Sequence, residues 1–166
     1  KKIDTGADSC NGLSTPAVVD ADSNMTADYV YAGDLKGNLW KFDIRDSNPA
    51  NWDIAFKDSF AKPAPLFSVP DKAITSKPEV MFHCSADIGP DIRSDCSQQV
   101  STGYMIFFGT GRYISAQDRL AADDQYVFGI WDYGHDDDES AYLGQFNEGS
   151  SPQLSNLHPN IQLKEQ

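Results

Sequence analysis

Long apolar runs are missing from these 166 residues: nothing approaches the roughly 20 consecutive apolar residues that a membrane-spanning helix needs. Basic residues are scarce beside acidic ones, 13 Lys and Arg against 25 Asp and Glu, for a formal net charge of −12. That balance argues against nucleic acid, because phosphate binding needs clustered Lys and Arg, and it suits a surface that attracts cations. Histidine is sparse too. His83, His135 and His158 stand apart with no ligand spacing, so surface or hydrogen-bonded core positions are expected rather than catalysis. No serine lies in a nucleophile-elbow motif. Gly109-Thr110-Gly111 has no helix after it and reads as a turn before it reads as a phosphate cradle. No stretch shows end caps and a periodic apolar face of helical length; Ala116–Asp124 is the one candidate for a turn or two. Lys1-Lys2-Ile3-Asp4 reads as the interior of a longer polypeptide, so the lack of an export signal says nothing.

Cysteine is limited to three residues. Cys84 and Cys96 bracket a polar segment with Gly89-Pro90 inside, a natural bend, and a bridge between them is expected. It would require an oxidising compartment and would stabilise by about 3 kcal/mol on the chain-entropy account. Cys10 is then free or pairs outside this stretch. Zinc is not expected, since no close cysteine pair exists and His83 beside Cys84 is a poor start for four tetrahedral ligands.

What the chain does have is oxygen in a particular order. Asp20, Asp22, Asn24 and Asp28 occupy loop positions one, three, five and nine, and Thr26 occupies seven, where a backbone carbonyl usually serves. A short loop wraps a calcium ion in that order, offering about six to eight hard oxygens at roughly 2.3–2.6 Å. Position six is Met25 rather than glycine and position twelve is Tyr31 rather than glutamate, so this is no EF-hand. The flanks Ala17-Val18-Val19 and Tyr29-Val30-Tyr31 are β-branched and aromatic and read as strands. A metal loop at the tip of a β-hairpin is expected; the competing reading is a turn whose Asp and Asn side chains hold only their own amides. The acidic run His135–Glu139 is read as a solvated loop.

Strand signals dominate the rest. Leu39–Ile44 alternates, with Trp40, Phe42 and Ile44 on one face and Lys41 and Asp43 on the other, the pattern of a half-buried strand. Asp34–Asn38 before it is a turn in which Gly37 can take a positive φ. Asp46–Lys72 carries Pro49, Pro63, Pro65 and Pro70 and is mostly connector, with Trp52–Phe56 and Leu66–Val69 as its two short strands. Then the pattern returns. Ser76-Lys77-Pro78-Glu79-Val80 echoes Ser14-Thr15-Pro16-Ala17-Val18, offset by 62 residues, and Tyr104–Gly109 echoes Tyr29–Gly33. Between these strands one copy has the Asp-rich loop and the other the Cys84–Cys96 excursion. Tyr126–Trp131 is a further strand. Repeated small sheets imply a propeller-like array whose units bury their faces by stacking. The chain has two to three such units, too few to close a ring, so all 166 residues are expected to form part of one larger β-propeller.

Several runs resemble the C-terminal domain of the PilC/PilY family of type IV pilus tip adhesins and biogenesis factors. They are Gly12–Asp20, Tyr31–Asp43, Lys62–Phe67, Ile74–Val80, Phe108–Tyr113 and Gly129–Gly134, in order. The resemblance implies an all-β fold, a modified, quinoprotein-like β-propeller. It implies export through the periplasm to an extracellular place at the pilus tip, with minor pilins as partners and a host or abiotic surface receptor. In that family a calcium loop in this domain bears on pilus extension, retraction and adhesion, and Asp20, Asp22, Asn24, Thr26 and Asp28 fall on it. Met25-Thr26 departs from the glycine that family loops often carry. No enzyme is expected. Two alternatives stand beside this reading. One is a quinone-dependent dehydrogenase on the same architecture, for which Trp40 and Trp131 would supply stacking groups, although strand tryptophans are usually core and a shared fold does not license activity. The other is an integrin-like, calcium-stabilised propeller that binds a protein ligand.

Overall fold

The period-two stretches fold as strands, and neighbours in the chain are neighbours in space. The computed structural model describes residues 1–7, 9–58, 60–84, 101–120 and 123–132. Among these there is no α-helix; Ala116–Leu120 is a 3-10 turn, as is Pro49–Asn51. The first sheet is an antiparallel meander of β1 (Ala17–Val19), β2 (Tyr29–Gly33) and β3 (Asn38–Asp43). Its fourth strand is broken in two. β4 (Asp53–Ile54) pairs with β3 at Phe42 and Asp43, and β7 (Phe67–Ser68) pairs with β3 at Asn38 and Leu39. Between them β5 (Phe56–Lys57) and β6 (Pro63–Ala64) leave as a separate two-stranded hairpin. Prolines 63, 65 and 70 fall around this break, as expected for residues that cannot extend an interior ladder. Pro63 itself is in a strand, which the proline-rich composition did not suggest; a two-stranded hairpin is all edge and tolerates it.

The second sheet is β8 (Glu79–Cys84), β9 (Ser101–Gly109) and β10 (Val127–Asp132), again an antiparallel meander. Its register reproduces the first. Ala17 faces Tyr31, which faces Lys41; Glu79 faces Phe107, which faces Gly129. Ser14 N–H donates to the Gly33 carbonyl at 2.8 Å, and Ser76 Oγ donates to the Gly109 carbonyl at 3.4 Å. The 62-residue echo of Ser14–Val18 at Ser76–Val80 is thus a repeat of sheet position. Gly109 corresponds to Gly33, so Met105, rather than Tyr104, takes the place of Tyr29.

One core lies between the sheets, with Tyr29, Tyr31, Leu39 and Phe67 on one side and Tyr104, Ile106, Phe108, Phe128 and Ile130 on the other. A second lies on the far face of the first sheet, where Ala32, Trp40, Phe42 and Ile54 are covered by Ile3 and Ala7. β3 is therefore buried on both faces rather than on one. Alternation identified its two faces correctly; stacking between layers then buried the charged face as well. Lys41 is 1% exposed, and its Nζ lies 3.1 Å from Asp132 Oδ2 of the second sheet.

The connector between the sheets runs tightly beneath the β2–β3 turn. Gly37 has φ +86°, and a Cβ there would stand 2.0 Å from the Val69 carbonyl oxygen. A Cβ on Gly33 would stand 2.2 Å from Ile74 Cγ2. Both positions need glycine for the close approach of a second backbone. This two-sheet stack is an all-β, partial propeller.

Candidate metal centre

Loop 20–28 joins β1 to β2, and its polar side chains fold inward because the backbone turns twice through left-handed conformations. Ser23 has φ +61° and Met25 φ +70°. Met25 is 96% exposed, so its side chain contributes no packing in return for that strained position. The carboxylates of Asp20 and Asp22 and the amide oxygen of Asn24 cap the loop's own amides. Asn24 N–H donates to Asp20 Oδ1 and to Asp22 Oδ1, each at 3.1 Å, and Met25 N–H donates to Asp20 Oδ2 at 2.8 Å. Asn24 Nδ2 donates to Asp22 Oδ2 at 2.8 Å. Thr26 donates to Asn24 Oδ1 from its N–H at 2.7 Å and also from its hydroxyl.

Asp28 behaves differently. It is 7% exposed and tied to both flanking strands: its N–H donates to the Val19 carbonyl at 2.8 Å, and its carbonyl accepts from Ile44 N–H at 2.9 Å. Its Oδ2 accepts from Ala21 N–H at 2.6 Å, which pulls the far end of the loop back over it. The outcome is convergence. Oxygens of Asp20, Asp22 and Asp28 all lie within 4.8 Å of one another. Two oxygens on opposite sides of a calcium ion, each at about 2.4 Å, stand about 4.8 Å apart. Each carboxylate oxygen has a second lone pair beyond the one used by an amide, so the turn reading and the ion reading are compatible. Three hard, anionic oxygens with two neutral ones beside them fit a divalent oxygen-seeking cation.

Beneath the loop is a ring of aromatic and charged groups that sequence reasoning did not find. Tyr104 packs edge-on against Tyr29, ring centroids 6.3 Å apart. Burial raises the Tyr104 hydroxyl pKa, and the negative charges of Asp28, Asp132 and Asp20 raise it further. Lys41 Nζ sits 4.2 Å over the Tyr29 ring, and Arg45 lies 5.0 Å from it. Tyr31 O–H donates to Asp132 Oδ2 at 2.7 Å. The loop carboxylates and the buried Lys41–Asp132 pair thus meet across one pair of tyrosines.

A second acidic centre, also missed, organises the opposite end of the first sheet. Asp34 is 1% exposed. Its Oδ1 accepts from Lys36 and Asn38 N–H at 2.8 and 2.9 Å, and its Oδ2 from Asn11 Nδ2, Asn38 Nδ2 and Trp40 Nε1, each at 2.8 Å. Burial works to raise the Asp34 pKa, but hydrogen bonds led by Asn38 and Trp40 outweigh it and hold it below the usual carboxylate range. Trp40 is a core residue clamped to this carboxylate, rather than a stacking platform. Trp131 points to the outer face of the second sheet. Cys84 ends β8, whereas Cys96, His135–Glu139 and His158 lie outside the described residues. Cys10 is an exposed free thiol.

Residues 1–154 match the family model of the PilY1 beta-propeller domain. The chain belongs to that family. Among curated members it is 39% identical over 124 residues to the type IV pilus biogenesis factor PilY1 homolog of Xylella fastidiosa strain Temecula1, an alignment spanning 75% of this chain and 8% of that protein. It is 35% identical over 141 residues to type IV pilus biogenesis factor PilY1 of Pseudomonas aeruginosa strain PAO1, spanning 74% of this chain and 11% of that protein. The chain therefore spans about a tenth of the length of these relatives. The crystal structure of the Pseudomonas aeruginosa PilY1 C-terminal domain superimposes with a TM-score of 0.62 at 29% identity, over 93% of this chain and 31% of that one. The propeller fold expected from the repeat is thereby that of the PilY1 domain.

Proposed function

We propose that this chain is a calcium-binding section of the propeller domain of a type IV pilus tip-associated biogenesis factor. In this reading Asp20, Asp22 and Asp28 supply the anionic oxygens, Asn24 and Thr26 add neutral ones, and the ion fixes the β1–β2 hairpin. The protein is exported through the periplasm and works outside the cell at the pilus tip beside minor pilins. It supports pilus extension and retraction and adhesion to a host or abiotic surface. The observation that carries the ion is the convergence of three carboxylates from one short loop within 4.8 Å. The pilus assignment draws on membership of a family whose curated proteins are named as pilus biogenesis factors.

A dehydrogenase reading loses one of its two stacking groups, since Trp40 is buried and bonded to Asp34. The test of the ion is calorimetric titration with calcium of the protein and of its Asp20→Ala/Asp28→Ala variant. Binding in the parent, lost in a variant whose circular dichroism still reports β-sheet, is the expected result. Equal binding by both, or none by the parent, would reject the assignment. In piliated cells the same variant is expected to change surface piliation and attachment, and unaltered piliation would separate the ion from the pilus role.

A further inference from the structure

Two buried polar groups are left over where the second sheet meets the loop, and they are complementary. The first is on Asp28, which is 7% exposed. Its Oδ2 accepts from Ala21 N–H at 2.6 Å, while its Oδ1 has no donor among the described residues. The second is the hydroxyl of Tyr104 on β9. Tyr104 is 8% exposed, and among the described residues its hydroxyl neither donates nor accepts a hydrogen bond. A buried polar group without a partner is costly and calls for an explanation.

The Tyr104 ring is gripped from two sides. Tyr29 meets it edge-on with centroids 6.3 Å apart, and Phe82 does so at 5.9 Å. Packing, rather than a hydrogen bond, therefore sets where the hydroxyl lies. It lies in the field of the loop: of the carboxylates that act on it Asp28 comes first, then Asp132, then Asp20. Asp132 is already engaged, since its Oδ2 takes the Tyr31 hydroxyl at 2.7 Å and Lys41 Nζ at 3.1 Å. Asp28 is the buried acid with an oxygen to spare.

We propose that Tyr104 is a positioning residue for the calcium site: its hydroxyl donates to the Asp28 carboxylate when an ion draws the loop together. The inference rests on the calcium reading given above and adds to it a residue from the other sheet. A carboxylate that binds an ion is held in one orientation by hydrogen bonds on its outer side, and such outer partners govern affinity strongly. A phenol suits this place because it is a neutral donor. It adds no charge to the cluster, whereas an ammonium there would compete with the ion for the carboxylates. The ion is then shared: loop 20–28 supplies the oxygens, β9 orients one of them, and calcium ties the first sheet to the second as well as closing its own hairpin.

The experiment uses the full-length protein, its Tyr104→Phe variant, which keeps the ring and removes the hydroxyl, and the Asp20→Ala/Asp28→Ala variant, whose missing heat identifies the loop's share of calcium binding. In titration calorimetry Tyr104→Phe should bind calcium at the loop about ten-fold more weakly than the parent. Tyr113→Phe, which loses a hydroxyl from a residue 73% exposed, should bind as the parent does. Amide hydrogen exchange supplies the second readout. Calcium should slow exchange over both loop 20–28 and residues 103–109 in the parent, but over the loop alone in Tyr104→Phe. Without calcium the two proteins should exchange alike over 103–109, because the hydroxyl has no partner to lose. Loop affinity within about two-fold of the parent, or calcium protection of 103–109 that survives in Tyr104→Phe, would overturn the inference and leave the calcium reading standing. Faster exchange over 103–109 in calcium-free Tyr104→Phe would also overturn it, since the hydroxyl would then be a structural prop. A parent with no loop binding would reject the calcium reading, and this inference with it.

Discussion

Replacing Lys41 with methionine should destabilise the domain by about 3–5 kcal/mol, the range found when one partner of a buried ion pair is removed. The geometry sets this scale. With Nζ 3.1 Å from Asp132 Oδ2, the attraction is about 5 kcal/mol at an effective dielectric of about 20. Methionine conserves the length and packing of the lysine stem, so little of the effect comes from a cavity. The loss arises because Asp132 stays buried after its counter-charge has gone. Asp132→Asn should also cost stability, since it removes the counter-charge of a buried ammonium, and the faces of Tyr29 and Phe56 at 4.2 and 5.5 Å contribute about 0.5–2 kcal/mol. The double variant should recover most of the loss. Its asparagine oxygen still accepts from the Tyr31 hydroxyl, and neither buried side chain is then charged. Urea unfolding followed by tryptophan fluorescence reads all four corners of the cycle. With a slope of about 2 kcal/mol per M, either single change should lower the midpoint by roughly 2 M. The reasoning would be refuted by singles that add in the double, or by a Lys41→Met midpoint within about 0.3 M of the parent, because a measurable coupling is what direct contact requires.

Asp34→Ala removes a carboxylate that five donors converge on, and should cost about 3 kcal/mol in the same assay, because charge-assisted hydrogen bonds dominate that site. The pH dependence has a definite sign. Asp34 has a folded pKa below its unfolded value, so its contribution is full above an unfolded pKa of about 3.9 and is lost as pH falls through the lower folded value. Acid unfolding below about pH 4 should therefore be shallower in Asp34→Asn than in the parent; identical acid limbs would contradict this. Met25→Gly removes a left-handed φ from a non-glycine residue, a gain of about 1–2 kcal/mol offset by about 0.5–1 kcal/mol of added chain entropy. Titration calorimetry should give equal or several-fold tighter calcium binding, and weaker binding would show that the Met25 side chain contributes to the loop.

The strands were legible because the residues that form them are β-branched and aromatic and alternate; β1, β2, β3, β9 and β10 fall where that signal lies. Small sheets in meander order were legible from the repeat, and the register of Ser14 and Ser76 carries the same message in three dimensions. The oxygens of the loop were legible because spacing alone brings alternate side chains inward. Other features were hidden for specific reasons. A period-two pattern separates two faces but does not say that both are covered, so Lys41 looked solvent-facing. Asp34 resembled any aspartate at a turn, and its five donors come from four residues between 11 and 40, which no local motif gathers. Tyr104 was legible only as part of a strand, and its place against Tyr29 and the loop carboxylates is not set until the second sheet is laid against the first.

The burial of Asp28 gives the loop a mechanical role that its composition alone does not suggest. β1 has three residues and three register pairs with β2, the least secure ladder of the meander. At its loop end the hairpin continues into Asp28, whose backbone bonds to Val19 on one side and Ile44 on the other. Asp28 is thus the point at which β1, β2 and the segment after β3 are fastened together. An ion drawn to Asp20, Asp22 and Asp28 would fasten the loop to that same point. An empty cluster would instead set three carboxylates against one another at the weakest end of the sheet. β1 in turn touches β8 of the second sheet, and the Tyr29–Tyr104 contact lies beside it. Order in the loop therefore bears on the junction between the two sheets as well as on the hairpin, through side chains already in contact.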